Sequence, residues 1–207
     1  MAGGGPGIQG QIGFRGREDT VVEGSDTTWF APTNTNWTAP ALDTNFRVRF
    51  EIEVQSLTNN WDTGQFTLWY SHNSGSFTQV TTTTSSVIKS VSSSVAGYDD
   101  DDDTTQLIGS GFFKIDNNQV NEGDNFTSSF TWLIADGTPQ YTETEWVLQF
   151  ISADLKSGDT VELRIRRFGG AVFGGGYAQF PVISIQDPQV EIRGKEVIIN
   201  GKEIAIK

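Results

Sequence analysis

Phe46-Arg47-Val48-Arg49-Phe50-Glu51-Ile52-Glu53-Val54 alternates without a break between apolar and charged side chains. Successive side chains of a strand point to opposite faces. One face therefore carries Phe46, Val48, Phe50, Ile52 and Val54, and the other carries Arg47, Arg49, Glu51 and Glu53. Such a strand belongs in a sheet with one side on a core. The same rhythm continues outward. Phe66, Leu68 and Tyr70 alternate ahead of the turn-rich His72-Asn73-Ser74-Gly75, and Phe77 to Thr83 reads as the returning strand of a hairpin. Trp146, Leu148 and Phe150 make another inward row; Val161, Leu163 and Ile165 follow the turn Lys156-Ser157-Gly158-Asp159. Ala178 to Ile185 closes the set, with Pro181 marking an edge position or a bulge. No window carries an apolar helix period. The expected fold is all-β, an antiparallel β-sandwich of jelly-roll or Ig-like type.

The chain has 207 residues, 26 acidic and 14 basic side chains, a formal net charge of −12, one His and no Cys. That charge argues against binding nucleic-acid phosphates. The missing Cys removes disulfides, thiolate metal sites and cysteine nucleophiles, and the single His72 leaves a His-based triad without support. There is no run of 18 apolar residues to span a membrane. The first residues lack the basic start and apolar run of a signal peptide. Charge and pattern together suggest three segments: an arm over 1–19 with no net charge, a body over 20–188 at −13, and a tail over 189–207 at +1.

In the arm, Gly4, Gly7, Gly10, Gly13 and Gly16 recur with a period of three. This is the spacing of a collagen triple helix, where only glycine fits at the axis. Ile8, Ile12 and Phe14 are unusual on a solvated triple helix and suit an extended arm docked on a neighbour. A Gly-rich linker is the plain alternative.

Several residue groups are candidates for chemistry. Asp99, Asp100, Asp101, Asp102 and Asp103 form a run whose carboxylates suit Ca²⁺, although the ligand spacing of an EF-hand is absent and a solvated loop is the simpler expectation. The pairs Glu51/Glu53 and Glu143/Glu145 each share a strand face. A glycosidase needs one such carboxyl in a cleft; cross-strand pairing with Arg47, Arg49, Arg164 or Arg166 is expected instead. Trp29, Trp37 and Trp61 lie in turn-like stretches and are the candidates for stacking on a glycan, whereas Trp69 falls opposite Phe66, Leu68 and Tyr70 on its strand. Gly169 to Gly176 lacks the lysine and hydroxyl residues of a phosphate loop. No catalytic residue and no cofactor is expected.

The tail holds a seven-residue repeat, Gly194-Lys195-Glu196-Val197-Ile198-Ile199-Asn200 and then Gly201-Lys202-Glu203-Ile204-Ala205-Ile206-Lys207, after a strand from Gln189 to Arg193. Three short strands bury little alone. Val190, Ile192, Val197, Ile199, Ile204 and Ile206 are therefore expected at an interface between copies, or docked on the chain's own body.

Leu68-Trp69-Tyr70-Ser71, the stretch Asn73-Ser74-Gly75-Ser76-Phe77-Thr78-Gln79-Val80, Glu145 to Phe150 and Gly158 to Arg164 resemble β-sandwich structural proteins of tailed phages and prophages, over roughly residues 45–186. Gly-X-Y leaders before trimeric β domains are also a feature of phage fibres and spikes. The resemblance implies a non-enzymatic virion component, a capsid decoration or a head or tail fibre. It would act as a homotrimer that binds other virion proteins of capsid or tail, away from membranes and nucleic acid. The alternatives are an adhesin module that binds a host-surface glycan and, more remotely, a secreted filament subunit.

Overall fold

The computed structural model describes residues 7–55, 61–83, 86–113, 119–123, 130–132, 139–186, 190–193, 196–199 and 202–205. Every strand follows in chain order: β1 Gly7–Glu18, β2 Trp37–Thr38, β3 Asn45–Gln55, β4 Trp61–Gly64, β5 Phe66–His72, β6 Thr78–Gln79, β7 Ile88–Ser90, β8 Phe112–Phe113, β9 Gln119–Asn121, β10 Phe130–Trp132, β11 Gln140–Phe150, β12 Thr160–Arg167, β13 Val182–Ser184, β14 Val190–Arg193, β15 Glu196–Ile199 and β16 Lys202–Ala205. The only helical turn among the described residues is a 3-10 turn at Ser152–Asp154.

Two sheets share one core. The first runs β1-β3-β11-β7, with β8 and β9 also on β11; the second runs β2-β13-β12-β5-β6. The alternating stretch is the centre of the first. Phe46, Val48, Phe50 and Ile52 are fully buried and meet Trp146, Leu148 and Phe150 of β11 and Phe66, Leu68, Val161, Leu163 and Ile165 of the second sheet. Phe46 stacks on Phe150 with ring centres 4.8 Å apart. Burying a side chain of this size stabilises by roughly 1.5–3 kcal/mol. Pro181 precedes β13, which lies between β2 and β12 and is not at the edge.

The arm expected over 1–19 is not separate. Residues Gly7–Glu18 form an antiparallel edge strand on β3, from Gly7 opposite Gln55 to Glu18 opposite Phe46, with irregularities between Ile8 and Gly10 and between Gln11 and Gly13. The glycine period has a packing cause. A Cβ on Gly16 would lie 2.5 Å from the Trp37 ring, one on Gly13 2.8 Å from the Glu51 carboxylate, and one on Gly10, at φ +148°, 2.3 Å from the Gly176 carbonyl oxygen. Three distant groups press on one strand, so three of its positions carry no side chain. Phe14 is buried against Trp37, and Ile12 is half-buried within the same chain. Gln11 ties this edge to the second sheet: its side chain accepts from the Ile165 amide at 2.9 Å and donates to the Gln179 carbonyl at 2.8 Å. Gly4 lies outside the described residues, as does the side chain of Ile8, while Gly7 opens the strand opposite Gln55.

The tail forms a three-stranded meander, β14-β15-β16. Its register pairs Val190 with Ile199, Ile192 with Val197, and Val197 with Ile204. Their side chains, and all of Ile206, lie outside the described residues.

Candidate functional site

The charged face of β3 is covered, not solvated. Arg17 of β1 grips Glu145 of β11 with a two-pronged contact, Nε to Oε1 at 2.6 Å and a terminal nitrogen to Oε2 at 2.8 Å. Arg49 also donates to Glu145, to Glu143 at 3.2 Å, to Glu23 at 2.8 Å and to the Thr105 carbonyl at 2.6 Å. Arg47 binds Asp19 through Nε at 2.6 Å, and its guanidinium carbon sits 3.5 Å above the Tyr98 ring. The side chains of Arg17, Arg47, Arg49, Glu143 and Glu145 are all 0% exposed. Burial alone would raise the Glu145 carboxyl, but Arg49 and Arg17 override it and hold it below its usual range. Glu143 is further held by the backbone amides of Leu107, Ile108 and Gly109 at 2.9, 2.9 and 3.0 Å.

This network clamps segments 19–26 and 93–109 over the sheet. Fixed, fully paired carboxylates have no access to a substrate, so Glu143 and Glu145 act as structural counter-ions. The expectation of pairing across strands holds for Arg49, but Arg17 is the second partner, while Arg164 pairs with Glu162 of its own strand at 2.5 Å. Glu51 makes no ion pair among the described residues. Glu51 faces Glu143 across the strand pair, and burial first, then Glu143 and Glu53, push its carboxyl up to about 7.

Of the tryptophans proposed for glycan stacking, Trp37 is only 6% exposed and packs between Phe14 and Phe30, so no sugar reaches it. Trp29 is half-buried, lies under the Arg15 guanidinium at 4.4 Å and donates its indole N–H to Asp26 at 2.6 Å. The Trp61 side chain lies outside the described residues. Asp99 to Asp103 make an exposed turn whose carboxylates bind local amides, Asp102 accepting from Asp99 at 3.2 Å and Asp100 from Glu122 at 2.9 Å. Among the described residues no three His, Cys, Asp or Glu side chains come together to hold a metal ion.

A concavity of about 330 Å³ lies beside His72, Asn73, Asp154, Lys156 and Asp159. Asp159 accepts from Asn73 at 2.8 Å and from the Lys156 amide at 3.0 Å and lies 3.0 Å from His72 Nε2; Asn73 is the first cause of its depressed pKa of about 2. These bonds tie a turn together, with the Asp159 carboxylate held by His72, Asn73 and the Lys156 amide.

The outer face of the second sheet is different. Alternation in β12 sends Val161, Leu163 and Ile165 inward and Glu162, Arg164 and Arg166 outward. Arg166 lies 4.5 Å from the Trp69 ring and 4.8 Å from Phe77; Arg164 lies 4.5 Å from Phe180, 4.7 Å from Tyr177 and 4.8 Å from Phe77. All of these side chains are half-buried. Beside them the β12–β13 loop turns at Gly170, whose Cβ position would be 2.7 Å from the Trp69 ring, and carries Phe168 at 60% and Val172 at 59% exposure. Arginine, aromatic rings and exposed apolar tips together are the composition of a protein interface. Alternation alone put Trp69, Arg164 and Arg166 outward; that Phe77, Tyr177 and Phe180 converge on the arginines was not visible, because they come from loops. No protein-family model, curated protein or solved structure matches this chain.

Proposed function

We propose that this chain is a non-catalytic assembly protein, a virion structural component that acts as a trimer by presenting the arginine–aromatic face and the Phe168/Val172 loop to a protein partner. The carrying observation is the layered set of Arg164 and Arg166 over Trp69, Phe77, Tyr177 and Phe180 beside two exposed apolar side chains. The virion context rests on the phage resemblance of the β5, β11 and β12 sequences. The strand order supports an immunoglobulin-like sandwich over a jelly roll. In chain order β1, β3, β5, β6, β7, β11, β12 and β13 take the places A, B, C, C′, D, E, F and G, with A-B-E-D in one sheet and G-F-C-C′ in the other. In that frame Phe168 and Val172 belong to the F–G loop, a position that such sandwiches use for recognition.

Binding of a host glycan by ring stacking is the weaker reading, because guanidinium groups already lie against the half-buried rings of Trp29 and Trp69. The test is the double variant Phe168→Asp/Val172→Asp in analytical ultracentrifugation. Both positions are exposed, so the fold should persist while association weakens at least tenfold. Association equal to that of the parent chain would refute the proposal.

A further inference from the structure

The body is strongly acidic, yet Arg164, Arg166 and Arg167 crowd into four positions of β12, where Arg164 also contacts Glu162 of its own strand. Of the other arginines between residues 20 and 188, Arg47 and Arg49 are consumed in buried pairs. This face is therefore a positive spot on a negative protein. Resting on the assembly reading above, we infer that its occupant is a second copy of this chain, which inserts the acidic run around Asp99, Asp102 and Asp103.

Three observations carry this. A guanidinium laid on an aromatic ring is pre-oriented, loses little freedom on binding and offers its planar fork to a carboxylate. The acidic run is the densest block of like charge in the chain, and Asp99, Asp102 and Asp103 are exposed. Finally, the run and the arginines sit on different sheets. The run lies beside β9 of the first sheet, where Val120 donates to the Asp102 carbonyl and Asp101 to the Val120 carbonyl, while Arg164 and Arg166 lie on β12 of the second. No ion pair joins the two patches among the described residues. Different patches meeting across copies make a heterologous contact, which closes into a ring when the rotation allows and otherwise extends as a row. A closed ring of three is the trimeric case.

The test uses two full-length variants, Asp99→Ser/Asp102→Ser/Asp103→Ser and Arg164→Gln/Arg166→Gln, each checked for folding by circular dichroism and followed by sedimentation velocity at micromolar concentration. Each alone should be monomeric, because each lacks one half of the contact. Mixed, they should form a 1:1 heterodimer, because each retains the half that the other lacks. If the aspartate variant associates like the parent while the arginine variant is monomeric, the face is an assembly surface but its occupant is not the acidic run, and this inference falls alone. If the arginine variant associates like the parent, the assembly reading falls with it. Two monomeric variants that fail to pair on mixing also overturn the inference. Should the arginine variant lose its fold, Phe168→Asp replaces it as the partner in the mixture, with the same outcomes.

Discussion

Gly16 lies so close beneath Trp37 that a Cβ there would come within 2.5 Å of the indole. Trp37 is buried between Phe14 and Phe30, so the ring has no room to retreat. Gly16→Ala should destabilise the monomeric fold by about 1–3 kcal/mol, the usual cost of overpacking, read as a lower urea midpoint with unchanged slope. A triple-helical arm would instead lose subunit association first, and a variant with normal stability and weaker association would contradict the strand assignment.

Glu145 carries two arginines in a site with no exposure. Glu145→Ala leaves Arg17 and Arg49 buried with too few partners and should cost about 3–5 kcal/mol. Because the folded carboxyl is held below the unfolded value of 4.5, its contribution is complete above that pH and is lost as pH falls. Urea midpoints measured from pH 6 down to pH 3 should show a shallower acid limb in Glu145→Gln than in the parent.

Glu51 behaves in the opposite sense. Its folded value of about 7 lies above the unfolded 4.5, so the folded chain holds this proton more tightly. Ionised Glu51 thus imposes no penalty below pH 4.5, a growing penalty from there to about 7, and a constant one above. Glu51→Gln should stabilise by roughly 1–2 kcal/mol at pH 8 after solvent screening, and by little at about pH 4, below the unfolded value. Equal effects at both pH values would contradict the raised carboxyl.

These pairs mark what the sequence disclosed and what it hid. The alternation of Phe46 to Val54 was sufficient for β3, and the rows at Phe66, Trp146 and Val161 were sufficient for β5, β11 and β12, because period two depends only on neighbouring residues. The glycine period of β1 was ambiguous for a physical reason. A triple-helix axis and a strand pressed by Trp37, Glu51 and Gly176 both exclude a Cβ, and the pressing groups are remote in sequence. Arg17 was likewise hidden, since nothing local announces that a residue next to Gly16 will meet Glu145, 128 positions away. The arginine–aromatic face was half legible. Its strand positions followed from alternation, but its aromatic partners Phe77, Tyr177 and Phe180 depend on loop paths.

Salt should act on the assembly selectively. Exposed charge pairs weaken as ionic strength rises, whereas fully buried pairs are screened much less. Raising salt from about 0.05 to 0.5 M, which shortens the Debye length roughly threefold, should dissociate copies while leaving the melting of the single chain unchanged. Association that strengthens with salt would point to an apolar contact in place of the arginine face.

The most direct test of the central claim is the solution mass of the parent chain by multi-angle light scattering at micromolar concentration and low salt. The account predicts a multiple of 22.7 kDa, three copies in the trimeric case, falling to a single chain in Arg164→Gln/Arg166→Gln. A mass of 22.7 kDa for the parent at every concentration and salt would contradict it.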